Sequence, residues 1–307
     1  MKKAVISALS CLFLTLVFPA AAQAQELTVG GQVVGIQIRT EGVLVAGLAE
    51  VETAGGPRSP ATDAGIHAGD LILEADGQKL SGAGALIRAV AAADGAPLEL
   101  TVRREEKTLR ITVQPQQSAE GQWLMGMWLR DGVSGIGTVT FCDPASGLYG
   151  ALGHSVSDGE TEVQLPLSAG SITDAEVVSV TKGAPGSPGE LNGCADMNRI
   201  LGTVEKNTGH GVFGHAAEML SGPTVEIGQI RVGPASILST VSGRQPREYA
   251  VEITRIYHEA DGAHVLLNVT DPALRELTGG IVQGMSGSPI LQEGKLVGAV
   301  THVSVST

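Results

Sequence analysis

The sequence predicts a mainly β chain in two parts, a small α+β domain followed by a larger all-β domain. Three observations carry this. Glycine supplies 42 of 307 residues while aromatics are only 3%, a balance suited to short strands joined by tight turns, where glycine takes positive φ at no steric cost. From residue 123 onward, short β-branched segments recur between glycine, proline and Asp/Asn clusters, with no amphipathic helix of ordinary length. Hydrophobic residues at 43% and charged residues at 17% fit a globular chain long enough for two cores and exclude a disordered one. The formal net charge of −12 leaves no basic field to release counterions, so general nucleic-acid binding is excluded.

The first element is an export signal over residues 1–24. Lys2 and Lys3 precede an apolar run from Ala4 to Phe18, and Ala22-Gln23-Ala24 has the small-x-small pattern that signal peptidase cuts. An uncleaved membrane anchor is the alternative, since Ala4–Ala22 approaches the length that spans a bilayer. Cleavage after Ala24 removes two lysines and no acid, taking the charge from −12 to −14. Of three cysteines, Cys11 lies in the apolar run; Cys142 and Cys194 remain, either as a disulfide or as two separate thiols.

The small domain is expected over residues 27–115. Val43–Ala46 and Leu71–Leu73 read as strands, and Ala83–Ala93 as a helix with Leu86, Ile87 and Val90 apolar and Arg88 opposite. Leu98–Val102 and Leu109–Val113 alternate strictly, as a hairpin with one wet face does. The stretch SPATDAGIHAGDLILEADGQKL, Ser59 to Leu80, resembles the helix–turn–strand–turn of bacterial PDZ domains. Such domains capture a peptide as an added strand. GGQVVGIQI, Gly30 to Ile38, is the candidate carboxylate loop and edge strand, making Gly30, Gly31, Gly35 and Ile36 the candidate peptide-binding residues. A glycine-rich turn without a ligand is the alternative. The polar stretch Gln114–Gly121 marks a linker, placed at 116–122. The all-β domain follows at 123–307, with strands expected near 136–141, 148–152, 175–180, 235–241, 249–256, 264–269 and 295–303.

Chemistry concentrates in Gly284-Met285-Ser286-Gly287-Ser288-Pro289. A serine attacks a peptide carbonyl only from a tight turn that exposes Oγ and aims N–H groups at the developing oxyanion. Here Ser286 is the candidate nucleophile, and the N–H groups of Gly284 and Ser286 form the candidate oxyanion hole. Ser288 competes, and a plain turn between strands remains open. His154, in Gly153-His154-Ser155, is the candidate base. The carboxylate that would orient it is Asp271, with Asp158 as rival; Asp271-Pro272 also reads as a helix-capping pair. No Cys-x-x-Cys or His-Glu-x-x-His string occurs, so neither a metal nor any other cofactor is expected. His210 and His215 read as loop histidines.

GGIVQGMSGSPILQEGKLVGAVTHV (Gly279 to Val303), ILGTVEKNTGHGVFG (Ile200 to Gly214), YGALGHSVSD (Tyr149 to Asp158) and GGQVVGIQIRTEGVLVAG (Gly30 to Gly47) resemble the stage IV sporulation protein B family. The resemblance implies a PDZ domain followed by a chymotrypsin-like double β-barrel serine peptidase domain, with His154, Asp271 and Ser286 catalytic. It implies export from the forespore into the space between its membranes. It also implies self-cleavage and cleavage of a membrane-anchored regulator of an intramembrane protease, so that a late sigma factor is activated. The family continues past the Thr-His-Val strand with an Asn-Asp-Pro turn, whereas this sequence stops at Thr307; on that comparison the peptidase domain reads as C-terminally truncated. Two other functions remain open, a non-catalytic exported PDZ adaptor and a general quality-control protease.

Overall fold

The computed structural model describes residues 26–217, 221–260 and 262–303; the expected signal segment lies outside them. The chain is mostly β, with an N-terminal PDZ domain and a second domain of two curled half-barrels in a chymotrypsin-like arrangement.

β1 (Glu26–Val29) leads into β2 (Val33–Leu48), which is buried over Val33–Ile36 and again over Gly42–Ala46 and exposes Arg39 and Glu41 between them. Such buried runs fit a strand covered on both faces there. A hairpin of β3 (Val51–Thr53) and β4 (Gly56–Arg58) precedes α1 (Pro60–Asp63), which starts on proline, whose fixed φ suits a first helical turn. β5 (Leu71–Ala75) turns through Asp76 and Gly77, both at positive φ, into β6 (Gln78–Lys79). The helix–turn–strand–turn read from Ser59 to Leu80 is therefore present.

α2 (Ala83–Ala92) buries Leu86 and Val90, but Ile87 is 60% exposed, so the expected apolar stripe is one residue narrower. β7 (Leu98–Arg104) and β8 (Lys107–Val113) pair as the expected hairpin, from Leu98↔Val113 to Arg104↔Lys107. Val43, Ile66, Ile72, Leu86, Leu98 and Leu100 centre this domain's core. Beneath the hairpin, buried Asp70 takes both Nε and Nη2 of Arg104 at 2.7 and 2.8 Å, a bidentate pair stronger than a neutral hydrogen bond. The stretch read as a linker is folded: β9 (Gln116–Gln117) pairs with β10 (Trp123–Leu124), and Ser118 N donates to Gln122 O across the turn.

In the second domain, β11 (Met127–Cys142), β12 (Leu148–Ala151), β13 (Leu167–Thr181), β14 (Glu190–Thr203), β15 (Lys206–Thr208), β16 (Gly211–His215) and β17 (Thr224–Glu226) form the first half-barrel, together with β1 and the start of β2. β18 (Gly233–Ser239), β19 (Arg247–Glu259), β20 (Gly262–Val269), the short α3 (Pro272–Thr278), β21 (Pro289–Gln292) and β22 (Lys295–Ala299) form the second, in the order β20-β19-β18-β21-β22. Two cores follow, one around Ile38, Val139, Tyr149 and Ile172, the other around Ile237, Ile253, Leu274 and Met285. Leu152 belongs to the first and Met285 to the second, so the segments carrying His154 and Ser286 meet between them.

The domains share strands. β2 pairs with β13 over Val34–Thr40 and with β5 at Val43 and Leu44, while β11 follows it from Leu48 to Val33. This corrects the peptide-binding assignment. Gly35 and Ile36 have neighbours on both sides, Gly30 and Gly31 donate their N–H groups to Thr140 O and Val139 O, and Ile36 is buried. A peptide cannot add to an edge that is already paired. Gly31 takes φ +95, and a Cβ there would lie 2.8 Å from Leu238 Cβ, so this glycine serves close packing between half-barrels. Cys142 is buried on β11 and Cys194 exposed on β14 as two separate thiols. Among the described residues no helix is long and apolar enough to cross a membrane.

Candidate active site

The turn from Gly284 to Ser288 is built by two glycines, at φ +92 and +95, values that L side chains rarely adopt. Gly287 has a second requirement. A Cβ there would lie 2.0 Å from Thr138 O and 2.5 Å from Leu152 N, so the turn rests directly on the first half-barrel. Thr138 N donates to Ser286 O at 3.1 Å, Thr138 Oγ1 to Gly284 O at 2.9 Å and Thr140 Oγ1 to Gly287 O at 2.7 Å. On the far side Gly287 N donates to Val300 O and Val300 N to Ser288 O.

Within this turn Met285, Gly287 and Ser288 spend their N–H groups on main-chain carbonyls, whereas Gly284 N and Ser286 N donate in none of the described hydrogen bonds. These are the two named as the oxyanion hole. Ser288 is eliminated as nucleophile: it is buried, and its Oγ donates to Ser239 Oγ at 2.9 Å. Ser286 Oγ donates to Thr301 O at 2.9 Å.

His154 is reached through Leu152 at φ +69 and Gly153 at φ +73. A non-glycine residue held there is strained and persists only where its surroundings hold it. Leu152 N donates to Thr138 O at 3.2 Å, and its side chain fills the space that a Cβ at Gly137 would need. Gly153 backs onto Thr301 and Val300, where a Cβ would meet Thr301 Cγ2 at 2.8 Å. His154 and Ser286 thus border the same stretch, Val300–His302. The His154 Nδ1 lies 2.8 Å from Ser155 O. A carbonyl only accepts, so Nδ1 donates in this contact, and Nε2 is the nitrogen left to act as a base. The His302 ring sits 5.4 Å from that of His154, tilted by 39°.

The two candidate carboxylates are engaged elsewhere. Asp271 Oδ1 accepts from Leu274 N at 2.9 Å as the N-cap of α3, and Asp271 N donates to Ala250 O; this is the capping role its Asp-Pro pair suggested. Asp158 is buried and accepts from Glu160 N, Thr161 N, Thr161 Oγ1 and Arg130. Burial alone would raise its pKa, but the Thr161 and Glu160 hydrogen bonds and the Arg130 charge together hold it below the ordinary aspartate range. Among the described hydrogen bonds none joins His154, Asp271 and Ser286 to one another.

A cleft of about 930 Å³ is lined by β20, Thr270, Arg275 and Thr301–Val303; it shares the Val300–His302 stretch with His154 and Ser286, but neither of those two lines it. Sequence reasoning missed Thr138, Thr140 and His302; only the Thr-His-Val string hinted at the last. His210 lies in a turn, and His215 on β16 places Nδ1 2.7 Å from Glu205 Oε1 at the surface. Among the described residues no three His, Cys, Asp or Glu side chains cluster as a metal would need.

The model of the family described as SpoIVB peptidase S55 matches residues 121–307, and a PDZ domain model matches residues 53–104. A curated Clostridium perfringens protein carrying a zinc-metalloprotease description is 37% identical over 71 residues, 23% of this chain. The chain spans only 21% of the length of that relative. The crystal structure of the PDZ domain of an SdrC-like protein from Listeria monocytogenes is similar over 29% of this chain and 87% of that one, at 24% identity and a TM-score of 0.24.

Proposed function

The chain belongs to the SpoIVB peptidase S55 family, and from that premise we propose that it is a sporulation serine endopeptidase with Ser286 as nucleophile, His154 as general base and Asp271 behind the base. One observation carries the reading: Gly284 N and Ser286 N, beside the half-buried Ser286 hydroxyl, are the two N–H groups of the turn with no described acceptor.

The chemistry follows from the parts. Ser286 Oγ leaves the Thr301 carbonyl and turns to His154 Nε2, which takes its proton as Oγ bonds to the carbonyl carbon of the scissile peptide. The oxygen of that carbonyl becomes an anion and is held by Gly284 N and Ser286 N. His154 returns the proton to the leaving amine, and water, deprotonated by the same ring, releases the acyl group. Asp271 Oδ1 caps α3, and for Oδ2 to steady the imidazolium the His154 Nδ1–H must turn from Ser155 O toward it. By the family resemblance the substrates are this chain itself and the exposed part of a membrane-anchored regulator of an intramembrane protease. Cleavage of the latter would lead to late sigma-factor activation, and the place is the space between the forespore membranes after export on residues 1–24.

The adaptor reading keeps one observation in its favour: the hydrogen bonds of His154, Asp271 and Ser286 run to other partners. Intact mass of the purified chain over time separates the two. The wild type should lose N-terminal residues, Ser286→Ala and His154→Ala should stay whole, and Ser286→Ala mixed with wild type should be trimmed. Equal trimming of Ser286→Ala alone removes the nucleophile assignment, and no trimming in any sample favours the adaptor.

A further inference from the structure

Two buried threonines of β11 point at the serine turn from across the half-barrel boundary. We infer that Thr138 and Thr140 are positioning residues for Ser286, holding the peptide planes on either side of the one that presents its oxyanion-hole N–H. The inference rests on Ser286 being the nucleophile and adds what keeps its turn in shape.

Thr138 and Thr140 are two positions apart on β11, and both hydroxyls reach the same turn. Relative exposures are 0% and 8%. Valine would fill such positions at no polar cost, whereas a buried hydroxyl is costly unless it is bonded. Both hydroxyls are bonded, and both to the same turn: Thr138 Oγ1 to Gly284 O and Thr140 Oγ1 to Gly287 O. Thr138 N adds a bond to Ser286 O. Carbonyls on both sides of the nucleophile, and its own, are thereby fixed from one strand.

That arrangement answers a specific weakness. The turn runs through two glycines at positive φ, and glycine resists peptide-plane rotation less than any other residue. Rotation of the planes before and after Met285–Ser286 turns the plane between them and carries the Ser286 N–H away from where the oxyanion forms, and donors help only while they are aimed there. Holding the carbonyl at Gly284 fixes the plane that leads into Met285, and holding those at Ser286 and Gly287 fixes the planes that follow. The Ser286 N–H lies between these clamps. Neither threonine touches the reacting atoms; each acts through the main chain of the turn.

The test uses the purified chain and a fluorophosphonate, a probe that bonds covalently to an activated serine through an oxyanion-like phosphoryl group. Thr138→Val keeps shape and the main-chain bond to Ser286 O but removes the hydroxyl; Thr138→Ser restores a hydroxyl; Thr140→Val tests the second clamp. Thr138→Val should lower the maximal labelling rate on the order of 10- to 100-fold, the scale of a small misplacement of reacting groups. The probe's half-saturating concentration should stay near wild type, and Thr138→Ser should recover most of the rate. Thr140→Val should show the same split, with unfolding midpoints recorded for every variant. Wild-type labelling rates in Thr138→Val and Thr140→Val overturn the inference, as does a loss in Thr138→Ser equal to that in Thr138→Val. Absence of labelling in the wild type itself removes the Ser286 reading and this inference with it.

Discussion

Ser286 and Ser288 share one turn, yet their hydroxyls have opposite surroundings. Ser288 Oγ is buried against Ser239, while Ser286 Oγ reaches the Thr301 carbonyl beside His302. Ser288→Ala should therefore keep peptidase activity, with some loss of stability measured by denaturant unfolding. At Asp158 the folded carboxyl has a depressed pKa, so it contributes stability above the unfolded value of about 3.9, and that contribution is lost as pH falls through the folded pKa. The stability gap between wild type and Asp158→Asn should be flat from neutral pH to about 5 and close below about 4; a gap that widens toward acid would contradict this. The serine, the histidine and the glycines of the turn were legible in the sequence because the chemistry demands those residue types at short spacing. Thr138, Thr140 and His302 were not, because their roles come from contacts between segments far apart in the chain. The capping of α3 by Asp271 was legible as an alternative; which alternative the side chain takes in this structure depends on the helix that follows it.

Among elements, β11 has the widest reach. Its Asp131 Oδ2 accepts from Ala83 N at 2.9 Å, capping α2 from outside because Gly82 at its N-cap has no side chain to do so. Asp131→Ala should cost about 1 kcal/mol, the usual worth of a lost N-cap, read by denaturant unfolding. Further along, the strand carries Thr138 and Thr140. Gly287→Ala drives a Cβ into Thr138 O at φ +95 and should destabilise by about 3 kcal/mol, combining overpacking with backbone strain; a loss under about 1 kcal/mol would mean that the turn can move away from β11. Short alternating strands and tight Asp-Gly turns were readable from the sequence. The lengths of β2 and β11 were not: each continues through a glycine-containing stretch, Gly42 or Gly132 and Gly135, where local signals suggest a break and pairing with a neighbour overrides them. The stretch read as a linker likewise folds because Gln116 and Gln117 find partners in Trp123 and Leu124.

For the whole molecule, the order PDZ domain then peptidase domain is plain in sequence, but the way they join is not. The early glycine-rich segment pairs with β11 and β13 instead of offering an open edge, since strand partners distant in sequence leave no local trace. The result is one continuous sheet from β8 of the PDZ domain to β15 of the first half-barrel, against which the second half-barrel sets its serine turn. The central claim is that this assembly activates Ser286. The most direct measurement is tandem mass spectrometry of the purified chain after fluorophosphonate treatment. A single adduct on Ser286, lost in Ser286→Ala, slowed in His154→Ala and retained in Ser288→Ala, is the result expected. No adduct on the wild type, or one located on another residue, would contradict it.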